Sequence, residues 1–170
     1  MDTNGVDVQV VAEKVIDFLL ARQVITANPR RDALLQPSIW AAGQGWLSVL
    51  QPHPEFWRHL VNNGVDVVLE RELHHPLEYY EQPTCGGCHA LLDQDVHHAA
   101  LDVWLAGSEP TLSCRACGWS ALVGDWPVTW AAAIGAPAVV FHNWPPLNTA
   151  FIAELRAVMG GRTQLVQSRC

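Results

Sequence analysis

Four cysteines in two close pairs, Cys85-Gly-Gly-Cys88 and Cys114-Arg-Ala-Cys117, constrain this chain more than any other feature. A Cys-x-x-Cys spacing puts two thiolates on one tight turn, where both reach the same ion and backbone amides can donate to the sulfurs. Gly86 and Gly87 keep the first turn open, and Gly118 follows the second pair where the chain must reverse. Two such pairs complete the tetrahedral shell of one structural Zn2+, with Cys85, Cys88, Cys114 and Cys117 as ligands. A shell closed by four cysteines leaves no position for substrate, so this zinc is expected to be structural and not catalytic. Two disulfides, or a redox pair of the thioredoxin type, are the competing readings. The second pair argues against the redox motif, and the first 30 residues lack the pattern of a secretory signal.

The paired knuckles resemble the zinc ribbon family over about 40 residues. They depart from a plain ribbon in spacing, because 25 residues separate Cys88 from Cys114, where a ribbon has roughly 15–20. The excess is accounted for by a predicted helix over Asp95 to Ala106, with Val96, Ala100, Val103 and Trp104 as its apolar stripe and Gly107 as its stop. Residues 83–120 therefore read as an inserted zinc-binding module.

A chain of 170 residues with 49% apolar composition supports one domain carrying such an insert. The expected fold class is α+β, a small mixed sheet with flanking helices, built from residues 1–82 and 121–170. A first helix is predicted from Asp7, its N-cap, to Arg22, followed by an extended piece at Val24 and Ile25. Residues 28 to 54 are broken by proline and glycine, and a short helix is expected from Glu55 to Asn62. Val65 to Leu73 alternates as a single strand, with Arg71 interrupting its apolar face. Ala131 to Phe141 reads as one buried strand, and Trp144-Pro145-Pro146 as a rigid loop. Asn148 or Thr149 caps a helix running to Met159, Gly160-Gly161 ends it, and Arg162 to Ser168 alternates as a last strand.

Charge bears on partners. The formal charge of −7 falls to about −9 if four thiolates hold one divalent ion. Arg115 is the lone base of the knuckles, among Asp93, Asp95, Asp102 and Glu109, so a nucleic acid is a poor partner. The chain has eight Trp, and its ten bases are Lys14 and nine Arg. Trp and Arg are enriched at the centres of protein interfaces, although Trp also fills cores. On that composition Trp126, Trp130, Trp144 and His142 are candidate partner-binding residues. His142 also closes a predicted strand, where loops gather functional groups. The pairs His74-His75 and His97-His98 match no metalloenzyme motif, and neither a nucleophile elbow nor a phosphate loop is present.

With its N-terminal helix, alternating strand, inserted knuckles and Asn143-to-Leu147 loop, the chain resembles a group of small bacterial proteins carrying a four-cysteine zinc ribbon-like insert. That resemblance implies the layout and no activity. The preferred expectation is a non-catalytic, cytoplasmic zinc-containing module that binds another protein, as an adaptor or a toxin-immunity protein, through a Trp/Arg-rich, overall acidic surface. The alternatives are an enzyme with a site near His142 and Asp125, between main domain and ribbon, and a nucleic-acid-binding ribbon. No membrane segment is expected.

Overall fold

The computed structural model describes residues 8–29, 38–52, 63–75, 80–128 and 132–167. The expected helix over 55–62, the Asp7 cap and Trp130 lie outside them. Three α-helices and eight short strands are assigned among the described residues: α1 (Val8–Ala21), β1 (Ile25–Ala27), β2 (Trp40–Ala42), β3 (Gly64–Val68), β4 (Glu72–His74), α2 (Gln94–Ala106), β5 (Thr111–Ser113), β6 (Ser120–Leu122), β7 (Ala133–Gly135), β8 (Ala138–His142) and α3 (Thr149–Met159). The class is α+β. Where one mixed sheet was expected, there are three sheets, and every ladder in them is antiparallel.

The chain divides into two compact units. One takes in 8–29, 38–52, 63–69 and 137–163 of the described residues. Its four-stranded sheet runs β1-β2-β3-β8. Apolar residues at helical spacing make one side of α1 the floor of its core, with Val11, Val15 and Leu19 buried against Val65, Phe151 and Leu155. Helix α3 begins where the Asn148 Oδ1 accepts from the Phe151 amide, which selects Asn148 over Thr149 as the cap. Phe18 stacks on Phe151, and the Arg22 guanidinium lies over both rings while pairing with Glu154.

The other unit takes in 70–75, 80–128, 132–136 and 164–167. It holds the β4–β7 ladder, the β5–β6 hairpin and α2. Helix α2 starts at Asp93, whose carboxylate accepts from the amides of Asp95 and Val96. The predicted stripe is partly corrected. Ala100 and Trp104 are buried, but Val103 is 54% exposed and His97 occupies the inward position instead.

Three expected strands change. Val65 to Leu73 is two strands, β3 and β4, that pair in different sheets. The break falls at Arg71, whose guanidinium donates to the carbonyls of Trp104 and Gly107, each at 2.6 Å, and so satisfies the C-terminal end of α2. Ala131 to Phe141 likewise divides into β7 and β8 on either side of Ala136-Pro137, because proline cannot donate to a ladder. Residues 163–167 form no strand. There the Gln164 side chain donates to the Gly124 carbonyl at 2.5 Å, a contact made by a side chain and not by a ladder.

Candidate metal centre

The two cysteine pairs fold into matching knuckles. In the first, the Cys85 amide donates to the Ala90 carbonyl (2.8 Å) and the His89 amide to the Cys85 carbonyl (2.9 Å). In the second, the Cys114 amide donates to Trp119 (2.7 Å) and the Gly118 amide to Cys114 (2.9 Å). Each reversal passes through the left-handed region directly after the second cysteine, at His89 (φ 60°) and Gly118 (φ 76°). Glycine fits that conformation freely, whereas the histidine adopts it at a cost of about 1 kcal/mol. Thr84 and Leu91 bridge the base of the first knuckle, and β5 and β6 flank the second.

These turns bring the sulfurs of Cys85, Cys88, Cys114 and Cys117 within 4.8 Å of one another. Sγ of Cys85 lies 3.5 Å from that of Cys117, and Sγ of Cys88 lies 3.7 Å from that of Cys114. A tetrahedral zinc with bonds of about 2.3 Å requires sulfurs about 3.8 Å apart, and a disulfide requires about 2.05 Å. The separations match the first and exclude closed disulfides; all four cysteines are free. The Gly87 amide donates to Cys85 Sγ at 3.3 Å, as knuckle amides do to metal thiolates.

The charge of the cluster points the same way. Amides of Cys117 and Ala116 donate to the Cys114 sulfur and lower its pKa to about 7. The Trp119 amide lowers that of Cys117 too, but the adjoining Cys85 and Cys88 sulfurs outweigh it and push it up to about 12. Sulfurs this close cannot all ionise by themselves, and a divalent cation removes that repulsion. Four cysteine sulfurs gathered this closely suit a single structural zinc ion.

An apolar bed supports the site. Cys85 and Cys114 are buried with Leu92 and Trp126, and Trp119 packs edge-on to Trp126 at 5.1 Å. The Trp119 ring lies so close to Gly86 that an added Cβ would come within 2.8 Å of it. Cys88 and Cys117 are exposed at the tips of the turns. Sequence reasoning missed Trp119 as a support of the site, and its position next to Gly118 was the available signal.

The candidate partner-binding residues fare differently. Trp126 is 3% exposed, so its ring belongs to the interior beneath the cysteines and not to a surface. Trp144 is half-buried, edge-on to Trp46 and Phe141 at 5.3 and 5.1 Å. None of the described Trp residues is exposed, which corrects the expectation of a Trp-rich surface: the large ring goes where it buries most area. His142 closes β8, and its Nε2 lies 3.0 Å from Oδ2 of Asp66 on β3. Asp66 Oδ1 accepts from the Ile39 amide at 2.7 Å. Asp125, expected near His142, falls in the other unit.

Comparison with protein-family models, curated proteins and solved structures finds no match for this chain. Among the described residues, no helix is long and apolar enough to cross a membrane.

Proposed function

We propose that the chain is a non-catalytic, cytoplasmic binding module in which zinc staples two knuckles together and the surrounding acidic surface receives a basic face of another protein, in the manner of an adaptor or toxin-immunity protein. The observation that carries this reading is the four-sulfur cluster. With every tetrahedral position taken by protein, the ion can hold a shape but has no vacancy for a substrate or an activated water.

Charge supports the kind of partner. In the unit that holds the cysteines, Glu70, Glu72, Glu81, Asp93, Asp95, Asp102 and Asp125 are exposed, against Arg115 among the exposed bases described there. Such a field speeds encounter with a basic protein and repels a phosphate backbone. None of the described Trp residues is exposed, so the reading rests on acidity alone.

Native mass spectrometry of the protein captured from its own cells, without chelators, tests the reading. It should find one zinc per chain and a stoichiometric second protein that dissociates as salt is raised. A zinc-loaded chain with no such partner would contradict the binding role and shift attention to the His142–Asp66 pair. That contact favours a second reading, an enzyme in which Asp66 orients His142 as a base. Under this reading His142→Gln abolishes an activity that the zinc-site variants retain.

A further inference from the structure

We propose that the four-cysteine cluster is also an oxidation site, at which hydrogen peroxide expels the metal and closes two disulfides across the knuckles, Cys85–Cys117 and Cys88–Cys114. The proposal rests on the zinc reading above and adds a chemical step to it.

Exposure is divided in the same way in both knuckles. The first cysteine of each, Cys85 or Cys114, is buried, and the second, Cys88 or Cys117, is exposed. A diffusible oxidant therefore meets Cys88 and Cys117 first. Each exposed sulfur has a buried one from the opposite knuckle beside it: Cys117 has Cys85 at 3.5 Å, and Cys88 has Cys114 at 3.7 Å. Closing either pair to a disulfide needs the sulfurs to approach by about 1.5 Å.

The chemistry balances with peroxide as the oxidant. In each pair the exposed thiolate attacks one peroxide oxygen. An S–O bond forms, the O–O bond breaks, hydroxide leaves and the cysteine becomes a sulfenic acid. The buried thiolate then attacks that sulfur, so that an S–S bond forms, the S–O bond breaks and a second hydroxide leaves. Each disulfide delivers two electrons to one peroxide, so the whole cluster consumes two. Disulfide sulfurs are not thiolate ligands, and the zinc departs as a divalent ion.

The pairing has a structural consequence. Cross-knuckle disulfides tie together the same two segments that the metal ties, so the oxidised module keeps its closure. Disulfides within Cys85–Cys88 and Cys114–Cys117 would leave the knuckles untethered. The cluster thus becomes a reversible switch between a metal-loaded dithiolate pair and a metal-free, cross-linked form that is less negative.

The test uses the full zinc-loaded chain carrying Cys170→Ser, which leaves only these four cysteines. Hydrogen peroxide is titrated in, zinc release is followed with a chromogenic chelator, and disulfides are mapped by cleavage at Asp93 and Arg115 followed by tandem mass spectrometry that breaks the backbone between Cys85 and Cys88. The expected result is one zinc released per two peroxides consumed, with Cys85–Cys117 and Cys88–Cys114 linked, and reloading after a dithiol reductant and zinc are added. Zinc retained under excess peroxide, or disulfides closed within each knuckle, would overturn the proposal while leaving the zinc reading intact. Protein that holds no zinc before oxidant is added would overturn both.

Discussion

A methyl group at position 86 would sit 2.8 Å from Cζ2 of Trp119. The ring is held edge-on by Trp126, which is itself buried beneath the cysteines, so it has little room to yield. Gly86→Ala is therefore expected to cost about 1–3 kcal/mol. The loss should show as weaker zinc retention against a competing chelator and as a shift in Trp fluorescence. The cysteines themselves were legible because their spacing encodes a shared ion, whatever surrounds them. Trp126 was not legible. A tryptophan reads the same in a sequence whether it fills a core or faces a partner, and only the packing of Leu92, Cys85 and Cys114 around it decides.

Among the elements, α2 is fixed at both ends by groups outside its own span. Arg71 satisfies carbonyls at its C-terminus, and Arg71→Ala should destabilise the unit by about 1–3 kcal/mol. Hydrogen exchange should localise the loss to the last turn of α2. In the first turn of the helix, burial holds the His97 pKa below its ordinary 6.5, with His98 adding repulsion. Tyr80 Oη lies 3.0 Å from its Nδ1. The unfolded chain therefore binds a proton that folded His97 refuses. This contribution is fully present above pH 6.5 and is lost as pH falls below that value, with a slope of at most about 1.4 kcal/mol per pH unit. Denaturant melts across acid pH should be flatter for His97→Gln than for the parent chain. Helix α2 was legible through its period and its Gly107 stop, yet neither its Asp93 cap nor its inward histidine was, since periodicity counts apolar residues only. The apolar alternation of Val65 to Leu73 concealed its division into β3 and β4, because the pattern continues across a break whose cause, the Arg71 contact with α2, is non-local.

For the whole molecule, the metal and the larger apolar core are separate sources of stability. All four ligands belong to one unit, whereas Val15, Leu19, Val65 and Phe151 form the core of the other. Stripping zinc with a chelator should abolish exchange protection in β5, β6 and the knuckles, since structural zinc supplies about 10 kcal/mol or more to small sites. Protection in α1 and α3 should remain. The α+β class followed from short alternating and helical patterns spread along the chain. The division into three antiparallel sheets did not, because strands of three to five residues carry too few side chains to specify their partners.

X-ray absorption spectroscopy at the zinc edge reads the ligand shell of the four-cysteine site itself. One zinc per chain is expected, with four sulfur neighbours at about 2.3 Å and no oxygen or nitrogen in the shell. A shell containing a light-atom ligand, or a water, would contradict a closed structural site and with it the non-catalytic reading.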